Sequence, residues 1–315
     1  MFFFTKTRKS KIYNMSKICK LVQKRPQKLA KISENGYRKQ ICKIASRVAK
    51  NIDEKNIVLI AGPSSSGKTT TSHLLVKELE KLNIVSIVVS MDDFFVSREE
   101  TPVLENGRKD YDNITSLNLD LFKKCIDELI TNKSTSLPIF DFVEGRRNDN
   151  AVNVEMAKEN GVIIVEGIHA FNPLIMSDLM RGKCIKIYIS AEADFDTENG
   201  LLSHNTLRFC RRLIRDFLTR GNTVEDTESV WRDVREAEEL FISPFKDTAD
   251  FHIDTVHAYE PLLYKNELLN IAQEDENALK YLNLFMNDVE YKKDYISKDS
   301  VVWEFLSVHE EKSDE

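Results

Sequence analysis

Gly62-Pro63-Ser64-Ser65-Ser66-Gly67-Lys68-Thr69 carries the spacing G-x-x-x-x-G-K-[ST], and its flanks decide how it is read. Ahead of it, Ile57-Val58-Leu59-Ile60-Ala61 is a continuous apolar run of strand length. Behind it, Thr70 to Leu82 puts Leu74, Leu75, Leu79 and Leu82 at helical spacing. A strand, a glycine-rich loop and a helix N-terminus aim consecutive backbone N–H groups at one point, and the helix dipole adds positive potential there. This reads as a site for a nucleoside triphosphate such as ATP. Gly62, Ser64, Ser65, Ser66, Gly67 and Thr70 cradle the phosphates, Lys68 reaches the terminal ones, and the Thr69 hydroxyl ligands Mg²⁺. The competing reading, a chance Gly/Ser turn, does not account for the flanks.

Working outward, Ile84 to Ser90 is a second strand, ending in Met91-Asp92-Asp93-Phe94-Phe95. Carboxylates at the C-terminal end of a strand face the crevice where open α/β sheets bind ligands. One of them is placed to take a proton from an acceptor hydroxyl, unless both merely cap the next turn. Val162-Ile163-Ile164-Val165 closes on Glu166, read as a second metal carboxylate or else as a structural one. His169 reads as local packing, since no second His or Cys sits at metal-ligand spacing. Residues 97–116 are loop-like, 117–130 form an amphipathic helix, and Pro138 to Phe142 is a short extended piece leading to Glu144-Gly145-Arg146-Arg147. Long loops in a compact domain tend to be functional, so 97–116 and 138–150 together are assigned to the acceptor side. Ile185–Ile189 and Phe251–Asp254 are further strands. Between them Arg208, Arg211, Arg212 and Arg215 fall at i, i+3, i+4 and i+7, with Arg220 and Gly221 closing the segment. Such a stripe is often a solvated face. On an acidic body that binds a triphosphate, it reads as a phosphate-clamping lid, about residues 200–222.

The totals narrow the classes. No apolar run approaches the ~20 residues a membrane-spanning helix needs, so no membrane partner is expected. The five cysteines are scattered without a C-x-x-C pair, which argues for a reducing compartment and a cytoplasmic location. Residues 1–50 hold 15 Lys/Arg and one acid, which leaves −20 on the rest of a chain whose net charge is −6. An acidic body argues against nucleic acid as a partner. Residues 1–26 read as a basic, disordered tail, with an organelle-targeting presequence or a start at Met15 as alternatives. Residues 27–50 read as a helix with Ile41, Ile44, Ala45 and Val48 on one face.

Taken together, Gly62 to Thr70, Met91 to Phe95 with Arg98-Glu99-Glu100-Thr101-Pro102, Glu166 to Pro173, and Arg211-Arg212-Leu213-Ile214-Arg215-Asp216 resemble the uridine kinase/phosphoribulokinase family of P-loop kinases. More narrowly, they are similar to the uridine kinase-related nucleoside kinases, and the likeness runs over about residues 27–310. Bacterial members often carry a threonyl-tRNA synthetase-like N-terminal module. With about 50 residues before the first strand, the resemblance predicts a chain lacking it. By position, the resemblance makes Asp92 the general base. It makes Asp112 a ligand of sugar hydroxyls, Phe140 an aromatic neighbour of the base, Arg147 a basic residue of the same loop, and Glu166 the metal carboxylate. Arg208, Arg211, Arg212 and Arg215 match the lid. Two positions depart from the family: Gly145 stands where uridine kinases place a base-reading His, and Thr206 where they place an Asp.

These readings predict an α/β, three-layer P-loop NTPase sandwich over residues 27–315, with a mostly parallel sheet and a helical lid. The expected reaction is Mg²⁺-dependent transfer of the γ-phosphoryl of ATP to the 5′-hydroxyl of a small-molecule nucleoside, uridine or cytidine. Asp92 serves as base, and Lys68, Arg211 and Arg215 neutralise the charge that develops. A same-fold kinase of another polyol and an ATP-binding regulatory protein are the alternatives, and homo-oligomer formation is left open.

Overall fold

The computed structural model describes residues 11–156, 160–287 and 289–306. In chain order it forms β1 (Ile12–Asn14), α1 (Met15–Lys24), α2 (Pro26–Lys50), β2 (Ile57–Ala61), α3 (Lys68–Glu80), β3 (Val85–Ser90), α4 (Leu119–Thr131), the strands β4 (Ser134–Asp141), β5 (Arg146–Glu155), β6 (Gly161–Glu166), β7 (Cys184–Ser190), β8 (Asp194–Thr197) and β9 (Gly200–Leu202), then α5 (His204–Arg220), α6 (Val224–Phe241), β10 (Phe251–Asp254), α7 (Glu260–Ile271), α8 (Leu279–Leu282) and α9 (Trp303–Leu306). The chain divides into two compact units, one of Arg38–Ser190 with Ser229–Ile253 and the other of Met1–Tyr37, Ala191–Glu228 and Asp254–Glu315. The sequence alone predicts one kinase domain over 27–315.

The unit of Arg38–Ser190 and Ser229–Ile253 is built on a sheet of order β10–β7–β2–β6–β3. β2 and β6 are buried at every residue, the pattern of strands covered on both faces. β2 runs parallel to β6 and β7, and β3 parallel to β6. The register sets Ile60 and Ser90 on either side of Glu166, so the ends of three strands meet at one edge. α3 carries the chain from β2 to β3, ending at Glu80, so Leu82 lies beyond it and is exposed. α4 buries Phe122, Cys125, Ile126 and Leu129 at i, i+3, i+4 and i+7, and its N-cap Asn118 accepts a bond from the Leu121 amide. The extended piece expected at 138–142 is one arm of an antiparallel hairpin, β4 with β5. Its register shifts between Leu137 and Ile139, at Pro138, which has no N–H to give to a ladder.

In the other unit, β1–β8–β9 form a small sheet, with β1 parallel to β8. α5 packs against α7 and α9. Residues 12–24, expected as disordered tail, are strand and helix. Asn14 caps α1, and Met15, Ile18 and Val22 make an apolar face among the lysines. Residues 1–10, the rest of that expected tail, lie outside the described residues. The one acid of the basic segment, Glu34, is buried and accepts bonds from the Tyr259 hydroxyl and the Ser297 amide. None of the five cysteines is in a disulfide. No described helix is long and apolar enough to cross a membrane.

Candidate active site

The loop between β2 and α3 is shaped by backbone contact. A Cβ on Gly62 would lie 2.0 Å from the Ile189 carbonyl oxygen, so β7 and the loop approach each other as only glycine allows. Gly67 caps α3, and Lys68 and Thr69 begin the helix. Lys68 Nζ donates to the Pro63 carbonyl at 3.1 Å, which holds its ammonium over the loop. Thr69 Oγ1 donates to Glu166 Oε1 at 3.3 Å, and Ser90 Oγ donates to the same oxygen at 3.3 Å. The two expected metal residues, 97 positions apart in sequence, are therefore in contact. Among the described residues no three His, Cys, Asp or Glu side chains cluster to hold a metal. Two oxygen donors beside a phosphate loop fit Mg²⁺, which binds through one or two protein oxygens and takes the rest of its shell from water and phosphate. They do not make a zinc site.

β3 ends in a 3-10 turn, Met91–Phe94, which separates the two neighbouring aspartates. Asp93 turns inward and accepts the Phe140 amide at 3.3 Å, and burial pushes its carboxyl above the usual range. Asp92 stays exposed. Asp93 is thus tied to the hairpin, and Asp92 is the carboxylate left open to a substrate. Four rings line the side that leads away from it. Phe95 meets Tyr111, Phe140 and Phe142 edge-on with centroids 5.8, 5.5 and 6.3 Å apart. Phe140 is buried, so the ring of this wall that faces solvent is Phe142, 61% exposed, which the sequence reading did not single out.

Asp112 is half-buried on the loop before α4. His169 is buried, edge-on to Phe241 with the Asp112 backbone as a polar neighbour, and burial pushes its imidazole down to about 4. It is packing, as expected. Arg147 departs from expectation. Its Nε donates to Asp149 and its Nη1 to the Phe95 carbonyl at 2.8 Å, so it pairs with a carboxylate and ties the hairpin to the segment after β3. Gly145 adopts φ +68°, and a Cβ there would lie 2.6 Å from Arg98 Nε. A base-reading side chain at 145 would therefore need both a strained backbone and the space that Arg98 fills.

The arginine stripe lies on α5, whose N-cap Ser203 accepts from Thr206. Arg211 is fully buried. It forms a two-pronged pair with Glu260, both bonds 2.8 Å, donates to Thr255, and lies 4.8 Å from the Phe305 ring centroid. This corrects its assignment as a catalytic arginine, because a guanidinium so enclosed holds α5 to α7 instead of reaching a phosphate. Arg208 is buried too. Arg212 and Arg215 reach the surface of their unit. Both pair with the buried Asp216, which Arg220 also contacts.

The sequence pattern of the Phosphoribulokinase / Uridine kinase family matches residues 57–260, from β2 through the start of α7. The chain belongs to this family. A uridine kinase of Leuconostoc citreum is 30% identical over 195 residues, which cover 62% of this chain and 84% of that protein. A uridine kinase of Staphylococcus aureus is 30% identical over 198 residues, covering 62% and 86%. Among solved structures, a candidate fructose transport system kinase from Silicibacter sp. TM1040 superimposes with a TM-score of 0.51 at 20% identity, over 68% of this chain and 98% of that one. At that identity the likeness speaks for the fold. Membership of the phosphoribulokinase/uridine kinase family makes the chain a phosphotransferase with a hydroxyl group as acceptor.

Proposed function

We propose that this kinase transfers the γ-phosphoryl group of ATP to the 5′-hydroxyl of a nucleoside, most simply uridine or cytidine. The observation that carries the reading is the meeting of three strand ends. Glu166 bonds to Thr69 of the phosphate loop and to Ser90, two residues before the exposed Asp92. Donor, metal and base functions thus converge on one sheet edge. Asp92 would accept the hydroxyl proton as the oxygen attacks, and Lys68, once drawn from Pro63, would follow the charge on the transferred phosphoryl. Thr69 and Glu166 would hold Mg²⁺, which would supply positive charge against the phosphates of ATP. The aromatic wall of Phe95, Tyr111, Phe140 and Phe142 supports a flat acceptor, since a ring stacked on an aromatic face gains about 1–3 kcal/mol. The 30% identity to uridine kinases supports the same class.

A second reading, a polyol acceptor, is favoured by Gly145, which leaves position 145 without a side chain to read a base. ADP release from Mg-ATP across uridine, cytidine, other nucleosides and polyols separates the two. Asp92→Asn should lower kcat on the best acceptor by about 10²–10⁴-fold with ATP binding retained. Equal loss of ATP binding would show that Asp92 is not the base. Turnover of polyols alone would move the substrate and keep the mechanism.

A further inference from the structure

We infer that Arg98 is a positioning residue that sets acceptor specificity, by clipping the turn of the β4–β5 hairpin to the segment that follows Asp92. The inference rests on the proposed function for its substrate and on geometry for everything else. Arg98 Nη2 donates to two successive carbonyls of the turn, Phe142 at 3.0 Å and Val143 at 3.2 Å, and its own amide donates to Gly145 O at 2.9 Å. Arg147 returns the contact from the hairpin side by donating to the Phe95 carbonyl at 2.8 Å. A third link joins the Phe140 amide to Asp93. Two arginines crossing in opposite directions, with Asp93 between them, make the 92–98 segment and the 140–147 turn one piece.

The turn is otherwise weakly held. Phe142 and Val143 are 61% and 85% exposed, and β5 is exposed along most of its length. Its internal bonds run to Asp141, whose Oδ1 accepts the Val143 and Glu144 amides and whose carbonyl accepts the Gly145 amide. These bonds shape the turn without fixing where it sits. Placement falls to Arg98, whose rigid guanidinium plane keeps Nη2 on both carbonyls while Nε lies against the Gly145 face, a span that the single nitrogen of a lysine does not cover. Gly145 is the counterpart of the clip, because the guanidinium lies across the face where any side chain at 145 would stand. The Phe142 ring, the exposed member of the aromatic wall, therefore takes its position from Arg98, and with it the width of the acceptor slot.

The test is a double-mutant cycle of Arg98→Ala and Gly145→Ala, with Arg98→Lys alongside, read by steady-state kinetics on the best acceptor and by amide hydrogen exchange over residues 139–147. Arg98 is exposed, so its variants should fold. Arg98→Ala should raise the acceptor KM at least fivefold, leave the ATP KM within twofold and kcat within threefold, and speed exchange in the turn. Gly145→Ala should raise the acceptor KM too, and by less when Arg98 is already trimmed. Lysine should restore part of the effect. An unchanged acceptor KM, an equal rise in both KM values, additive effects, or full rescue by lysine would each overturn the inference. Wild-type protein inert toward every acceptor sinks the proposed function and the specificity half of this inference with it. Exchange that is the same in wild type and Arg98→Ala sinks the clip itself, whatever the substrate.

Discussion

Glu166 shows how much of a site one side chain can organise. Its Oε1 receives both the Thr69 and Ser90 hydroxyls, so the carboxylate ties the phosphate loop to the end of β3. Glutamine keeps its shape and removes its charge. Glu166→Gln should therefore leave the fold intact and raise the Mg²⁺ concentration for half-maximal turnover, by about tenfold if the lost attraction is near 1.4 kcal/mol. A titration of rate against free Mg²⁺ at saturating ATP checks this, and an unchanged midpoint would make Glu166 a structural carboxylate. At this scale the sequence was legible wherever local geometry depends on neighbours in the chain: the close approach at Gly62, Lys68 and Thr69 at the start of α3, and Asp92 just past a strand end. It was not legible at Arg98 and Arg147. Nothing local says that an arginine at 98 will meet carbonyls 44 and 45 positions away, or that Arg147 will spend its fork on Phe95.

α5 is the element whose pattern misled. Four arginines at helical spacing look like one charged face, yet Arg208 and Arg211 are buried while Arg212 and Arg215 reach the surface. The partner that permits this, Glu260, lies 49 residues on in α7. Burial of a charge is decided by whether its counter-charge arrives, and periodicity does not report that. Glu260→Gln would strand the Arg211 guanidinium and should cost about 3–5 kcal/mol of stability, measured by urea unfolding. Turnover per folded molecule should hold. A variant as stable as wild type would refute the buried pair. The β4–β5 hairpin was missed for the opposite reason. Arg146-Arg147-Asn148-Asp149-Asn150 has no apolar alternation, because this half of the strand is mostly exposed.

For the molecule as a whole, the parallel sheet follows from apolar runs that a reader can see, whereas the division into two units does not. The second unit is assembled from three separated stretches, and no composition shift marks their ends. Among the described residues each unit buries one neutral histidine, His169 in one and His257 in the other, both pushed down to about 4 by burial. The unfolded chain protonates each near 6.5, whereas the folded chain resists until about 4. Stability is therefore lost as pH falls through that window, by about 2 kcal/mol per histidine at pH 5. Asp93 and Asp254, raised by burial, act in the other direction, so the decisive comparison is between variants. His257→Phe should lose less stability than wild type between pH 7 and pH 5 in urea unfolding, and equal losses would refute the assignment. The threading of the second unit also has a consequence in time. β1 pairs with β8, about 180 residues later. At roughly 5–20 residues per second of translation, the first strand waits about 10–40 s for its partner to leave the ribosome. β1 is thus made well before the strand that pairs with it.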